Sequence, residues 1–240
     1  MKPDKAIIFD VWGRYAHFKK IYVTTSALSY GVPFKTSIYG LIGAIIGLDN
    51  RQNDYLNKFN EGNCKIGIQV INPIKLQRIN INLSDRLGSI GDNRKPTMME
   101  FVKNPHYRIF FSHSDHEVFD RLFKKTESKT SVYTPVLGLA HCIANFRLIG
   151  LSDLVRSEGD AVINSVLLKS QLISFDQTHW IENEVHIQEQ DMYPLEMNTR
   201  REVIKRDSIL FDINGKGIKA KVKEYYGTSI NDEITNIMLM

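Results

Sequence analysis

Residues 29–48 have the sequence SYGVPFKTSIYGLIGAIIGL, which predicts a turn followed by a buried helix. Gly31 and Pro33 favour the turn. Apolar residues then recur at spacings of three and four, which predicts a helix from Thr36 to Leu48 with Thr36 or Ser37 as its N-cap. The apolar stripe of this helix consists of Ile38, Leu41, Ile42, Ile45 and Ile46.

Three glycines, Gly40, Gly43 and Gly47, lie on one face of the predicted helix. A glycine in a helix interior costs about 1 kcal/mol relative to alanine. We therefore expect this face to approach another backbone closely, either that of a sheet, which is the commoner case, or that of a ligand.

The segments on either side of the helix alternate between extended and helical patterns. The S-x-x-E capping box of Ser114 to Glu117 starts a second helix. The predicted order is strand, helix, strand, inserted arm, strand, helix, strand, with strands at residues 6–12, 65–71, 107–111 and 139–151. This βαββαβ order predicts an α+β, ferredoxin-like domain over residues 1–150, an arrangement that RNA-recognition motifs also use.

The arm is predicted at about residues 73–105, where two extended pieces flank a polar, Gly-containing stretch. This pattern indicates a β-hairpin that projects from the sheet. Ile79, Ile81 and Leu83 are expected to be exposed on it until RNA or another protein covers them. Residues 151–240 contain short strand-like runs and predict a small, mainly β C-terminal unit.

The composition excludes several classes of protein. The 240 residues are 42% hydrophobic and 24% charged, as in ordinary soluble domains. Two cysteines, Cys64 and Cys142, are too few for a disulfide framework or for a zinc site built from cysteines alone. The longest apolar run, Leu41 to Leu48, is far shorter than the roughly 20 residues that span a bilayer. With no signal-peptide pattern, the sequence predicts a cytoplasmic protein without a membrane partner.

The charge is distributed unevenly along the chain. Residues 1–110 carry 16 Lys and Arg against 8 Asp and Glu, a net charge of +8. Residues 111–240 carry 15 against 19, a net charge of −4. This asymmetry favours a polyanion-binding surface in the first part and protein contacts in the second.

Basic residues interleaved with aromatic ones between Trp12 and Tyr22 indicate binding of single-stranded nucleic acid, because cations contact phosphates and aromatic rings stack on bases. The start of the predicted helix offers backbone N–H groups to a phosphate. Further basic residues lie in the arm and in the strand after it. The candidate RNA-binding residues are Arg14, His17, Lys19, Lys20, Lys35, Thr36, Ser37, Arg78, Arg86, Arg94, Lys95 and Arg108.

No established catalytic or cofactor motif is present in the sequence, so we expect no metal and no cofactor. His113 and His116 form an H-x-x-H pair, but they lie at the start of the second helix, which favours a surface position there over a metal site. Metal-independent RNA cleavage needs an acid and a base of near-neutral pKa. His17, His106 and Tyr107 are the candidates, and the residues alone leave this alternative open.

Four segments resemble, as an ordered set, motifs of the Cas-five family of CRISPR-associated proteins, subunits of type I Cascade within the RAMP superfamily. The first two are RYAHF at residues 14–18 and the stretch at residues 29–48. The other two are PHYRI at residues 105–109 and YTPVLG at residues 133–138. The resemblance covers roughly residues 5–150 and is greatest to the I-B branch.

The resemblance implies a non-catalytic Cascade subunit that binds the 5′ handle of the CRISPR RNA (crRNA) and caps the backbone of the complex in antiviral defence. It implies that the arm is the family's thumb. The implied partners are the crRNA, the repeated backbone subunit and the large subunit, with target DNA contacted indirectly. In one branch the family member cuts precursor crRNA itself, so a metal-independent endoribonuclease is the alternative.

Overall fold

The computed structural model describes residues 4–20, 27–53, 55–84, 94–230 and 233–240, without the side chains of residues 83, 84, 94 and 95. Its helices are α1 (Lys35–Ile46), α2 (Tyr55–Lys58), α3 (His116–Glu127) and α4 (Gln177–Glu182). Its strands up to residue 153 are β1 (Lys5–Trp12), β2 (Tyr15–Ala16), β3 (Phe18–Lys19), β4 (Ser29–Tyr30), β5 (Cys64–Val70), β6 (Leu76–Ser84), β7 (Arg94–Lys103), β8 (His106–His113) and β9 (Asn145–Asp153). The later strands are β10 (Val155–Ile163), β11 (Leu167–Leu168), β12 (Leu172–Phe175), β13 (Ile187–Met197), β14 (Val203–Asp212), β15 (Ile218–Ile230) and β16 (Glu233–Ile237).

A four-stranded antiparallel sheet of order β5-β8-β1-β9 forms the centre of the first 150 residues. Side chains alternate across a strand, so Ile7, Phe9 and Val11 of β1 face the main core together with buried residues of α1 and α3. The predicted order of strands, helices and arm is observed, and the α+β class with mostly antiparallel sheets is confirmed.

Helix α1 begins one residue earlier than the sequence predicts and without a side-chain cap. Its N-cap is Phe34, which makes no side-chain capping hydrogen bond. Thr36 and Ser37 lie inside the first turn, where the Ser37 hydroxyl donates to the Phe34 carbonyl at 2.6 Å. The predicted Thr36 or Ser37 cap is therefore wrong, and packing of the buried apolar face sets the start of the helix.

The glycines of α1 do not mark a close backbone approach, so that expectation is wrong. A Cβ on Gly40 would lie 4.0 Å from Tyr55 Oη, and a Cβ on Gly43 would lie 3.8 Å from Leu48 Cβ, both ordinary contacts. Gly47 differs because its φ of +77° ends the helix in the left-handed conformation, with its N–H donating to the Gly43 carbonyl. Of these three glycines, only Gly47 adopts a backbone conformation that favours glycine.

Helix α3 is capped by Asp115, not by the Ser114 of the predicted capping box. The Asp115 carboxylate accepts from the Glu117 N–H at 2.9 Å. Lys124 and Lys125 occupy the last turn as expected. Strand β9 starts at Asn145 because residues 135–144 form turns, tied by the Leu137 N–H to the Cys142 carbonyl at 2.8 Å.

An antiparallel hairpin of β6 and β7 occupies the region of the predicted arm, and the short β2 extends it by pairing with β7. Ile79 and Ile81 are half-buried and pack against the main core. The expectation that these two side chains stay exposed until a partner covers them is therefore wrong, because residues of the chain itself partly cover them. The side chain of Leu83 is not among those that the structure describes.

Residues beyond 150 share a core with the first 150. Buried residues of β10, β14 and β15 belong to the same apolar cluster as β1 and α1. The backbones of Ile66 in β5 and Met240 exchange two hydrogen bonds, at 2.8 and 3.2 Å, and the Val166 N–H donates to the Ile68 carbonyl at 2.7 Å. Within the described ranges, no helix has the length and apolar character needed to cross a bilayer.

Candidate nucleic-acid interface

The sequence segments that carry the resemblance converge at the base of the hairpin. The His17 N–H donates to the Leu137 carbonyl at 3.0 Å, which joins the 14–18 segment to the 133–138 turn. The Gly13 N–H donates to the Pro105 carbonyl at 3.2 Å, and the Asn104 N–H donates to the Arg14 carbonyl at 2.9 Å. Backbone hydrogen bonds thus join three segments that are distant in sequence.

Aromatic rings fill the centre of this convergence. The Phe101 ring centroid lies 5.8 Å from that of Tyr15, 5.5 Å from that of His17 and 5.9 Å from that of His141. The Arg14 guanidinium lies 5.8 Å from the Tyr15 ring centroid, within the range of a cation–π contact. This cluster fixes the hairpin to the segment that precedes it.

His17 is a structural residue in this arrangement. Its side chain is buried, and Nδ1 lies 2.7 Å from the Glu100 carbonyl, to which an Nδ1–H donates. Burial lowers the pKa of His17, against a smaller raising effect of that hydrogen bond. The ring is held inside the fold, away from the position of an exposed phosphate contact.

Exposed cations surround the base of the hairpin. Arg14 and Lys19 are exposed and form no ion pair with any described residue. Lys20 is half-buried, with its ammonium 5.8 Å from the Tyr30 ring centroid. Arg78 is exposed and lies 3.5 Å from a Glu100 carboxylate oxygen. Of the predicted RNA-binding residues with described side chains, Arg14 and Lys19 are the most available to a phosphate.

Sequence reasoning missed Lys75 and Lys103 of this surface, and it also missed Arg147, which lies on β9 beside Asp10. Lys75 and Lys103 are exposed at the two ends of the hairpin, where the Lys103 N–H donates to the Lys75 carbonyl at 2.8 Å. Their position on either side of the predicted arm was the available signal, because a hairpin brings its ends together.

The start of α1 does not present the expected phosphate site. Lys35 is buried, and its ammonium lies 2.6 Å from a Glu196 carboxylate oxygen that also accepts from the Tyr39 hydroxyl at 3.2 Å. Thr36 is buried too, with its hydroxyl 3.6 Å from the Met197 sulfur. Strand β13 therefore covers this end of the helix, and the Lys35 ammonium is committed to Glu196.

Arg108 lies on the sheet face opposite the helices, where it is paired with Asp10. Arg108 Nε lies 2.8 Å and its Nη2 3.2 Å from the two Asp10 carboxylate oxygens. Asp10 is only 1% exposed, and Arg147 Nη2 approaches it at 3.5 Å. The register explains this cluster, because Asp10 is directly opposite Arg108 on β8 and Arg147 on β9.

The remaining candidates in the arm have no described side-chain positions. Arg86 lies outside the described residues. Arg94 and Lys95 begin β7, opposite Ser84 and Leu83 of β6, and only their backbones are described.

The three candidate acid–base residues are not arranged as one catalytic group. Tyr107 is buried, donates its hydroxyl hydrogen to the Gly31 carbonyl at 2.6 Å, and has its pKa raised by burial. His106 precedes it in β8 and therefore faces the opposite side of the sheet, 3.4 Å from Asp10. His17 uses Nδ1 for a backbone contact, as described above.

His116 is exposed at the start of α3 as expected, but the expected surface position of His113 is wrong, because its side chain is buried. The His113 Nε2 lies 2.8 Å from the Lys58 carbonyl, and its Nδ1 accepts from the Asp115 N–H at 2.9 Å. Both ring nitrogens are therefore engaged within the fold. In the part of the chain that the structure describes, no three His, Cys, Asp or Glu side chains are grouped as metal ligands.

A family model described as "CRISPR-associated protein (Cas_Cas5)" matches residues 6–210, most of the chain. A crystal structure of a CRISPR protein from Archaeoglobus fulgidus has 12% sequence identity and a TM-score of 0.54, with 97% of this chain and 98% of that chain covered. A crystal structure described as a Cas protein has 12% identity and a TM-score of 0.50, with 88% and 95% covered. These two similarities show a shared fold. Among curated proteins, no sequence matches this chain significantly.

Proposed function

The chain belongs to the Cas-five family of CRISPR-associated proteins, and on that premise we propose that it is a non-catalytic subunit of a type I Cascade surveillance complex. In this proposal it binds the 5′ handle of the crRNA and caps the backbone of the complex in antiviral defence. It acts in the cytoplasm, needs no cofactor, contacts target DNA only indirectly and belongs to the I-B branch.

The observation that carries the proposal is the basic surface at the base of the hairpin. Exposed Arg14, Lys19, Lys75 and Lys103 lack acidic partners among the described residues. Such cations bind a phosphate backbone by releasing its counterions. The surface lies where the segments that resemble the family converge, and this supports its use for RNA.

The fold supports the finer interpretation as a ferredoxin-like, RNA-recognition-motif-like domain. The central sheet has the order β5-β8-β1-β9, and α1 and α3 contribute to the core on one side of it. We infer that the hairpin of β6 and β7 is the thumb. RNA-recognition motifs bind single-stranded RNA, which matches a handle with unpaired bases.

The region after residue 150 supplies surface for protein partners. It carries the acidic excess of the chain and exposes large apolar side chains, including Ile173, Phe175 and Ile181. Exposed apolar residues on an acidic surface suit contacts between subunits. We assign this surface to the repeated backbone subunit and the large subunit.

The geometry gives no support to the alternative of an endoribonuclease. Tyr107 and His106 lie on opposite sides of the sheet, and the Tyr107 hydroxyl is bonded to a backbone carbonyl in the core. General acid–base catalysis needs two groups within reach of the same reacting atoms. We therefore propose that the protein holds RNA without cutting it.

The test incubates the purified chain with fluorescein-labelled repeat RNA from the host's CRISPR array, in buffer with a chelator. Anisotropy measures binding, and a denaturing gel measures cleavage. We expect saturable binding with intact RNA, and weaker binding of an unrelated RNA of equal length. Absence of binding, or equal binding of the unrelated RNA, would contradict handle recognition. Site-specific cleavage that is lost in His106→Ala or His17→Ala would establish the endoribonuclease instead.

A further inference from the structure

The sheet face opposite the helices is divided into a covered apolar half and an uncovered polar half. Ala6, Ile8 and Phe110 pack under residues from the end of the chain, including Ile237 and Leu239. Farther along the same strands, this face continues with Asp10 and Trp12 of β1, which are outside that cluster. The second half adjoins the base of the hairpin, because Gly13 and Arg14 follow β1 directly.

The uncovered half presents one aromatic pair and two arginines. We call Trp12, His106, Arg108 and Arg147 the sheet platform. The Trp12 and His106 rings are directly opposite each other in the register, with centroids 5.8 Å apart. Trp12 and His106 are half-buried, whereas the Arg147 side chain is 55% exposed. The platform therefore offers an aromatic surface beside a solvent-facing guanidinium.

The Asp10 carboxylate holds the two arginines of the platform in place. This buried carboxylate accepts from Arg108 through two nitrogens and lies 3.5 Å from Arg147 Nη2. One carboxylate facing two guanidinium groups leaves the cluster with a net positive charge. The planar guanidinium groups are thereby held in place before any ligand arrives, which reduces the entropy lost on binding.

Two buried polar side-chain atoms on this face have no hydrogen-bond partner among the described residues. His106 Nε2 lies 3.4 Å from an Asp10 oxygen without a hydrogen-bond partner in the described residues, and Gln69 Oε1 also lacks one. Gln69 is opposite Arg108 in the sheet, so both atoms lie beside the platform. Rotation of either side chain would offer a hydrogen bond to the edge of a planar polar ligand.

We propose that the sheet platform stacks one unpaired nucleobase of the bound RNA on Trp12, while Arg147 contacts an adjoining phosphate. This proposal rests on the proposed function and adds a second site beside the hairpin cations. The positive charge of the cluster and its continuity with Arg14 favour RNA over a protein segment as the occupant. Stacking on an aromatic ring is tolerant of base identity, so the platform adds affinity more than sequence recognition.

The test uses the fact that the chain has two tryptophans, Trp12 and Trp180. In Trp180→Phe, Trp12 is the sole tryptophan and reports its own environment through its fluorescence. We expect repeat RNA to quench its emission and to do so at the RNA concentration that half-saturates the anisotropy signal. In Trp12→Phe, the remaining Trp180 should give unchanged emission on RNA binding.

Affinity measurements complete the experiment with the full chain. We expect Trp12→Ala to weaken RNA binding about tenfold and Trp12→Phe to weaken it less, because phenylalanine keeps a stacking ring. The matched control is Val132→Ala, which changes an exposed apolar residue in the loop after α3 and should leave RNA affinity unchanged. Thermal unfolding of each variant checks that the fold is retained.

The possible outcomes separate the two proposals. If RNA binds and Trp12 emission and the Trp12→Ala affinity both remain unchanged, the platform is wrong and the proposed function stands. If no RNA binds to the wild-type chain, the proposed function fails and the platform fails with it. If Trp12 is quenched only by an added protein subunit, the face is a protein interface and the nucleobase proposal is overturned.

Discussion

Gly138 lies directly against the carbonyl group of His17, in a backbone conformation with a φ of +93°. A methyl group on Gly138 would overlap the His17 carbonyl oxygen. The glycine that ends the YTPVLG segment is therefore required both by its left-handed conformation and by the lack of space. This contact joins two segments of the sequence that carry the family resemblance.

We predict that Gly138→Ala lowers the free energy of unfolding by at least about 1–3 kcal/mol, because it adds backbone strain and steric overlap. The matched control is Gly150→Ala, since a Cβ there would meet no atom within 4 Å. Urea unfolding of both variants measures the difference. Equal stability of Gly138→Ala and the wild type would contradict the contact.

The glycines of α1 should not all respond to alanine as Gly138 does. Gly43→Ala should raise the free energy of unfolding by up to about 1 kcal/mol, because alanine is the better helix former and its Cβ has room. Gly47→Ala should lower it, because a Cβ there would lie 2.7 Å from Val132 Cγ2 in a left-handed conformation. A destabilised Gly43→Ala would restore the expectation of close backbone contact.

The buried ion pair of Lys35 and Glu196 should be costly to break on one side. We expect Lys35→Met to lower the free energy of unfolding by about 3–5 kcal/mol, because Glu196 would remain buried without its cation. The double variant Lys35→Met with Glu196→Leu should recover most of that loss. A double-mutant cycle by urea unfolding measures the coupling, and additive losses would show that the pair does not interact.

His17 should make stability depend on pH. Its pKa is lowered by burial, so the unfolded chain, with an ordinary histidine pKa of about 6.5, binds the proton more readily. The folded state is then favoured above about pH 6.5 and loses this advantage as the pH falls from there toward the lower pKa of the folded protein.

The measurement compares urea midpoints at about pH 7.5 and about pH 5.5 for the wild type and His17→Asn. We expect the drop in urea midpoint from the higher to the lower pH to be smaller in His17→Asn than in the wild type. The control His116→Asn changes an exposed histidine and should keep the wild-type pH dependence. The same pH dependence in His17→Asn as in the wild type would rule out His17 as its source.

Local patterns in the sequence predicted the elements but not their tertiary partners. The periodicity of residues 38–46 predicts α1 to within two residues at each end, because helix patterns are local. Lys35 appeared suited to a phosphate because Glu196, its actual partner, is 161 residues away. In the same way, Arg108 appeared free until the register placed Asp10 opposite it.

Long-range pairing also explains the residues that were missed. Arg147 lies in β9, and only the antiparallel pairing with β1 places it beside Asp10. The alternation of Ala6, Ile8, Asp10 and Trp12 in β1 shows that they share a face of the sheet. It does not show which half of that face the end of the chain covers. The position of the uncovered half therefore required the structure.

The most direct test of RNA binding at the base of the hairpin is the salt dependence of affinity. The variant combines Arg14→Ala, Lys75→Ala and Lys103→Ala, and anisotropy is measured with repeat RNA over a range of salt concentrations. Each phosphate contact contributes about 0.7 to the slope of log affinity against log salt for a single strand. We predict that the triple variant binds more weakly and that its slope is smaller by about 2 than that of the wild type. Unchanged affinity and slope would contradict the central claim and place RNA binding elsewhere.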